Sequence, residues 1–347
     1  GGRFVSTEKR NENFMLKQSR YSKGKKNVKQ YSKNNASKKS GSGKNSYNAY
    51  YKKNDDGFQP KSNGKSNYGK KKYPSKPKGY PKKNAQKPSI KIAFLGGLNE
   101  IGKNITLVEC ENDIIIIDCG MAFPDGDMLG VDLVIPDFTY IEQNADRVKG
   151  IILTHGHEDH IGGLPFLLSK VNVPIYGTPL TLGLVGNKLK EHSLYNQSQL
   201  NVINAGQSIK LGCMKIDFIH VNHSIPDAVA FAIHTPGGTI VHTGDFKIDC
   251  TPITGDMIDL SSFARVGDEG VLALLSESTN AERPGYTPTE RTVSDSLDNL
   301  FKSAENYRII IATFASNVNR VQQIIDCAEK YGRKVAFSGR SMVNYMD

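Results

Sequence analysis

The histidines of this chain constrain its fold more than any other feature of the sequence. Residues 154–160 read Thr-His-Gly-His-Glu-Asp-His, so three imidazoles and two carboxylates occur within six residues. The apolar run at residues 150–154 predicts a strand before this cluster, and residues 161–170 predict a short helix after it. All eight histidines lie between His155 and His242. A polar surface loop with coincidental histidines would rarely concentrate them in this way, so the pattern favours a metal site.

The residue types in the cluster suit zinc or manganese, because both ions accept imidazole nitrogen and carboxylate oxygen as ligands. Gly156 permits a turn tight enough for His155 and His157 to face one ion. We expect Asp159 and His160, at the start of the helix, to hold a second ion a few ångström away from the first.

Two further candidate ligands follow predicted strands. His223 comes after the strand predicted at residues 213–221, and Asp245 comes after the one predicted at residues 239–243. A carboxylate in the second position can bridge two cations with its two oxygens. Taken alone, each residue is more often structural than ligating. Taken together with the cluster, both are predicted to be metal ligands.

Asp118 closes the apolar run at residues 114–117, where a carboxylate without partners would be costly to bury. It either orients a ligating histidine through the second ring nitrogen or caps the turn before Cys119 and Gly120. Two alternatives also remain for Asp227, which either supports a metal ligand or is a turn residue. Structural roles are expected for the remaining four histidines, which are His192, His220, His234 and His242.

Short apolar runs dominate the middle of the chain, and an alternation of helix and strand follows from Thr289. The runs predict strands at residues 89–95, 105–110, 114–118, 150–154, 174–176, 200–203, 213–221, 228–234, 239–243 and 271–275. Beyond them, residues 308–313 and 334–338 also predict strands. Helices are predicted at residues 161–170, 178–191, 289–304 and 318–331. The last part of this pattern is typical of a parallel α/β unit.

The charge of the chain is divided sharply at residue 88. Residues 1–88 contain 25 Lys and Arg against four acids, a net charge of +21, whereas the remainder has a net charge of −11. The first 88 residues have too little apolar surface to offset chain entropy, so we predict a disordered basic extension. Its interleaved Lys and Tyr favour weak nucleic-acid binding, with a solubilising tail as the alternative.

Cysteine usage and hydropathy bear on the cellular compartment. The five cysteines are scattered and form no Cys-x-x-Cys pair, which argues against a disulfide framework or a thiolate zinc site. No run of about 18 apolar residues predicts a membrane span. The sequence therefore indicates a cytoplasmic protein without a membrane partner. It begins Gly-Gly-Arg, with neither an initiator Met nor an apolar signal core, so we expect an internal fragment or a remnant of cloning.

The order of these residues resembles a known family. Asp118, the His-x-His-x-Asp-His motif, His223 and Asp245 are similar to the four successive motifs of the metallo-β-lactamase fold. Longer stretches resemble the bacterial ribonuclease J family, a β-CASP branch of the metallo-β-lactamase nucleases; they are residues 96–104, 223–227, 244–247, 278–285, 313–323 and 338–342. The sequence departs mildly at Asn99, where that family often has Gly, and at Glu277, where it commonly has Asp.

For the fold, the resemblance implies an α/β protein with an αββα sandwich of two sheets between helices. The β-CASP domain of this family is inserted into the lactamase domain, and the resemblance implies that this chain contains only its start. The expected organisation is a disordered basic extension at residues 1–88, the first part of a metallo-β-lactamase domain at residues 89–288, and a truncated α/β β-CASP domain at residues 289–347.

For the chemistry, the resemblance implies 5′-to-3′ exonuclease and endonuclease cleavage of RNA in RNA maturation and decay. Two Zn²⁺ ions are the implied cofactors, with Mn²⁺ as the alternative. The implied ligands of one ion are His155, His157 and His223, those of the other are Asp159 and His160, and Asp245 bridges them. Asp159, Asp245 and Glu277 are the candidate catalytic residues; Glu277 falls at the acidic position that opens the β-CASP motifs.

The resemblance also places a further metal ligand, the leaving-group acid and the 5′-phosphate pocket after Asp347. We therefore expect RNA as partner and ribonuclease activity in a longer, homo-oligomeric protein, and an inactive or unstable fragment in this chain alone. Two other classes are weighed against this one. They are a metallo-β-lactamase-fold hydrolase acting on DNA or small molecules, and a non-catalytic RNA-binding protein.

Overall fold

The computed structural model describes residues 87–346. The prediction of a disordered, nucleic-acid-binding extension concerns residues 1–88 and, apart from its last two residues, lies outside the described part. No helix within the described range is long and apolar enough to cross a membrane.

Six strands in the order β1-β2-β3-β4-β5-β6 form the first sheet. Neighbouring strands are antiparallel from β1 to β3 and parallel from β3 to β6. The apolar run at residues 114–117 is fully buried, as a central strand covered on both faces requires. The strand bounds are Ile90–Gly96, Ile105–Cys110, Asp113–Ile117, Val148–Ile152, Ile175–Gly177 and Leu200–Val202.

The second sheet has five strands in the order β11-β10-β9-β8-β7. Its strands pair antiparallel except at the β10–β11 edge, where the pairing is parallel. The strand bounds, from β7 to β11, are Ser208–Leu211, Met214–His220, Val229–Thr235, Gly238–His242 and Ala273–Leu275.

Eight α-helices accompany the sheets in the described range. From α1 to α8 they are Thr139–Gln143, Glu158–Ile161, Leu164–Leu168, Pro179–Glu191, Leu260–Glu269, Arg291–Ser303, Val318–Lys330 and Arg340–Met346. The prediction of a single helix at residues 161–170 is wrong. The helical segment begins at Glu158, and Gly162 and Gly163 divide it into α2 and α3. A Cβ at either glycine would overlap nearby atoms of the loop after β3, so both positions serve close packing.

The core is arranged in layers. Side chains from both sheets meet in one buried cluster, which includes Val108, Ile115, Phe218 and Phe231. A second cluster joins the outer face of the first sheet to α3 and α4, and a third joins the second sheet to α5. The layers therefore follow the order helix, sheet, sheet, helix, which confirms the predicted αββα sandwich.

The segment after residue 289 differs from its prediction. Helices α6 and α7 pack through a small cluster formed by Leu297, Phe301, Cys327 and Ala328. Residues 308–313 and 334–338 do not form strands, so both strand predictions are wrong. A strand is defined by hydrogen bonds to a neighbour, and these runs pair with no strand in the described range. They instead border a 220 Å³ cavity beside α6 and α7.

Candidate metal centre

The ends of four strands place the candidate ligands. Asp118 follows β3, and the histidine cluster follows the parallel neighbour β4. In the second sheet, His223 follows β8 and Asp245 follows β10. Because each of these strands ends at the same edge of the sandwich, donor atoms of His155 and Asp245, which are 90 positions apart in the chain, come within 4.8 Å of each other.

Three imidazoles converge at this edge. Nδ1 of His157 lies 3.1 Å from Nε2 of His155 and 3.2 Å from Nε2 of His223. Two nitrogens that bind zinc at about 2.0–2.1 Å in a tetrahedron are roughly 3.3–3.4 Å apart. These two separations are close to this value, and all three nitrogens lie within 4.8 Å of one another, so the group could hold one ion.

Burial keeps these imidazoles neutral. It lowers the pKa of His155 well below the ordinary value, with the neighbouring histidines acting in the same direction. Burial and the nearby His157 lower the pKa of His223 to about 4. At neutral pH both rings therefore keep a free nitrogen lone pair, which metal binding requires.

A second group of donors lies beside the first. His155, His160 and Asp245 each offer one atom, all within 4.8 Å of one another. Nε2 of His160 lies 3.5 Å from Oδ1 of Asp245 and 3.5 Å from Oδ2 of Asp159. The other oxygen of Asp245 is 3.8 Å from Nε2 of His223. Asp245 therefore stands between the two groups, in the position of a bridging carboxylate.

Both carboxylates that lie beside His160 are acidic. Burial alone would raise the pKa of Asp245, but His160 and the other histidines lower it to about 2. The pKa of Asp159 is also lowered, because hydrogen bonding and charge from His160 outweigh burial. The two side chains are consequently ionised at neutral pH and are suited to bind cations.

Asp118 contacts His160 through Nδ1, the ring nitrogen that does not face the other donors. It is 1% exposed, and its Oδ2 lies 2.8 Å from Nδ1 of His160. Burial alone would lower the pKa of His160, but Asp118 and the other surrounding carboxylates raise it well above the ordinary value. The backbone of Asp118 has φ 58°, so the residue also makes the turn that sequence reasoning offered as the alternative. The two interpretations are compatible.

Thr154 was not predicted as a site residue, although it connects Asp118 to a second histidine. Its N–H and hydroxyl donate to Oδ1 and Oδ2 of Asp118, each at 2.8 Å. Its hydroxyl oxygen then has only lone pairs to offer Nδ1 of His155, 2.9 Å away. Nδ1 of His155 must therefore carry the proton, which leaves Nε2 free on the side of the converging donors. Its place directly before the cluster was the one sequence indication.

Asn104 was also missed. Its amide nitrogen lies 3.1 Å from the main-chain oxygen of Asp159, 3.4 Å from the Oδ2 of that residue and 3.2 Å from Nε2 of His160. Asn104 belongs to the stretch at residues 96–104 that resembles the family, but nothing in its local spacing indicated this contact.

Other predicted residues lie outside the converging groups. The carboxylate of Glu277 accepts a hydrogen bond from the main chain of Thr279 at 2.7 Å, and Glu277 belongs to neither donor group. Asp227 has φ 63°, which fits a turn position, and its side chain accepts a 3.4 Å hydrogen bond from Leu180 N at the start of α4. The four histidines expected to be structural are likewise absent from both groups.

Comparisons with known proteins give two family matches. The Metallo-beta-lactamase superfamily matches residues 98–286, and the beta-CASP domain of Ribonuclease J matches residues 306–347. Ribonuclease J of Helicobacter pylori strain J99 is 48% identical over 262 residues, which are 75% of this chain and 38% of that protein. Ribonuclease J2 of Bacillus subtilis strain 168 is 47% identical over 261 residues, which are 75% of this chain and 46% of that protein. The chain thus spans less than half the length of these relatives.

A solved structure supports the fold. A protein of unknown function from Enterococcus faecalis V583 aligns with 73% of this chain and 71% of its own length, with a TM-score of 0.53 and 19% sequence identity.

Proposed function

Because the chain belongs to the metallo-beta-lactamase superfamily, we propose that it is the metal-binding part of a ribonuclease that hydrolyses RNA phosphodiester bonds by 5′-to-3′ exonuclease and endonuclease action. One observation carries the proposal. Two groups of metal donors share His155, and Asp245 reaches both. The relatives named Ribonuclease J and the match at residues 306–347 support RNA, rather than DNA or a small molecule, as substrate.

The proposed ligand assignment is the one that the family resemblance implies, and the short separations between donor atoms support it. His155, His157 and His223 would hold one zinc ion, Asp159 and His160 the other, and Asp245 would bridge them; manganese is the alternative metal. The proposed domain division places this site in residues 89–288, with the β-CASP part beginning at residue 289. Glu277 is proposed as a further catalytic residue, at the acidic position that opens the β-CASP motifs.

Two divalent ions held by these residues would supply an activated water near neutral pH and would stabilise charge on the phosphoryl oxygens. The residues of this chain would position the reactants. A carboxylate with a pKa of about 2 is a weak base, so Asp245 would orient the attacking water rather than remove its proton. Asp118 would accept the Nδ1 proton of His160 and so keep Nε2 directed at the donors.

The test uses the longer protein that contains this chain. We expect Asp159→Ala to lower single-turnover cleavage of a 5′-monophosphorylated RNA by about 10³-fold or more, since one of the two proposed ligands of the second ion is lost. RNA binding without divalent metal should change little. Asp146→Ala, at an exposed position outside the site, is the control and should cleave normally. Near-normal cleavage by Asp159→Ala would refute the dinuclear mechanism and favour a non-catalytic RNA-binding role.

A further inference from the structure

Two residues of the segment matched to the beta-CASP domain contact the three-histidine group. The main-chain oxygen of Ser316 lies 3.3 Å from Nε2 of His157. The side-chain amide of Asn319 donates a 3.2 Å hydrogen bond to the main-chain oxygen of His223. Ser316 precedes α7 and Asn319 lies in its first turn. Two of the three histidines are thus contacted by a part of the chain about 95–160 positions further on.

The contact at His157 determines which nitrogen of the ring is free. Nδ1 points at His155 and His223, and Nε2 lies on the opposite side of the ring, toward Ser316. A carbonyl oxygen only accepts hydrogen bonds, so this contact places the proton on Nε2. A neutral imidazole has one ring proton, and Nδ1 is therefore left with its lone pair directed at the group.

The contact at His223 acts on the main chain. The amide of Asn319 is oriented in turn, because its oxygen accepts a 2.9 Å hydrogen bond from the hydroxyl of Thr254. The preceding residue, Asn222, is held on another side by hydrogen bonds to Asp256 and Ile258. The turn that carries His223 is therefore fixed both from within its own domain and from α7.

A charged cluster holds the start of α7 against the lactamase part. Glu290 accepts from Lys247 at 2.9 Å and from Arg320 at 3.0 Å. The main-chain N–H of Glu290 donates to Asp249, which is 2% exposed. Asn317 caps α7 by accepting from Arg320 N at 3.0 Å. With these contacts in place, Ser316 and Asn319 have little freedom to leave the histidines.

We propose that Ser316 and Asn319 are positioning residues for the metal site, so that metal affinity depends on the beta-CASP segment even though that segment supplies none of the three nitrogens. This inference rests on the proposed metal-binding function. Partners that orient metal-ligating histidines typically change metal affinity by about 10–100-fold when they are removed.

The experiment measures Zn²⁺ affinity of the whole chain by competition with a chelator at neutral pH. Asn319→Ala should weaken binding by about 10–100-fold. Thr254→Val removes the hydroxyl that orients Asn319 and should weaken binding in the same direction by a smaller factor. Gln322→Ala is the matched control, because Gln322 is on the same helix and its side-chain amide donates a 2.8 Å hydrogen bond to Asp326 of that helix. It should leave the affinity within about twofold of wild type, below the range expected for a supporting partner.

A spectroscopic measurement separates positioning from a general loss of folding. Long-range ¹H–¹⁵N spectra of the zinc-loaded chain should show His157 with its proton on Nε2. A proton on Nδ1 would overturn the inference, as would wild-type affinity in folded Asn319→Ala and Thr254→Val. Should wild type itself bind no zinc, the proposed function fails. Should wild type bind zinc and both variants bind equally well, only the positioning role fails.

Discussion

Asp118 shows what a single residue contributes to this site and how far the sequence predicts it. Its place at the end of an apolar run predicted a partnered, buried carboxylate, and the structure gives it His160 and Thr154 as partners. The spacing of the cluster also predicted that His155 and His157 lie together, whereas the presence of His155 in the second donor group was not predicted. The contact from Ser316 to His157 was not predictable, because a main-chain oxygen leaves no trace in residue type.

At this scale we predict that Asp118→Asn lowers Zn²⁺ affinity by about 10–100-fold, because the amide is a weaker acceptor for the Nδ1 proton of His160. The chain offers a matched control. Asp217 pairs with His234 at 3.1 Å, away from the donor groups, so Asp217→Asn should bind zinc like wild type. Chelator competition measures both variants. Equal affinity in Asp118→Asn and wild type would exclude a supporting role for the carboxylate.

Among the elements, predictions succeeded where a short apolar run was sufficient evidence. Strand β2 has the predicted bounds, and strands β3, β4 and β10 differ by one or two residues at each end. The runs at residues 308–313 and 334–338 are also short and rich in apolar residues. Strand formation, however, depends on a neighbouring strand, which the periodicity of a sequence does not reveal. The strand β7 and the helices α1 and α8 were missed because they are only four, five and seven residues long. Helix α5 was missed although Leu260, Phe263 and Val266 give it helical spacing.

The loop after β3 and helix α2 pack so closely that one methyl group should disturb the site. A Cβ on Gly120 would overlap the main-chain oxygen of Asp159. We expect Gly120→Ala to lower the free energy of unfolding by at least about 2 kcal/mol. Gly126→Ala, where a Cβ would meet nothing within 4 Å, should change it by less than about 0.5 kcal/mol. Urea denaturation decides, and equal stability of the two variants would contradict the described packing.

For the whole molecule, the division of charge is the property most relevant to RNA. Residues 89–347 have a net charge of −11, whereas residues 1–88 have a net charge of +21. Long-range attraction of a polyanion therefore depends on the extension and on bound metal ions. This division is read directly from the sequence, whereas no sequence pattern predicted how the beta-CASP segment contacts the histidines.

We predict that deleting residues 1–88 weakens RNA affinity and flattens its dependence on salt, because fewer phosphates are neutralised and fewer counterions released. The measurement is a series of binding isotherms at increasing salt concentration. An extension of scrambled sequence and unchanged composition is the control and should bind like wild type. An identical salt slope with and without the extension would show that these cations do not contact RNA.

The converging histidines and carboxylates are expected to form a metal site, and elemental analysis of the purified whole chain tests this most directly. Wild type should contain close to two zinc or manganese ions per chain. His157→Ala should lose at least one of them, whereas His234→Ala, which alters a histidine outside both donor groups, should keep them. A metal content near zero in wild type, unchanged by His157→Ala, would contradict the account.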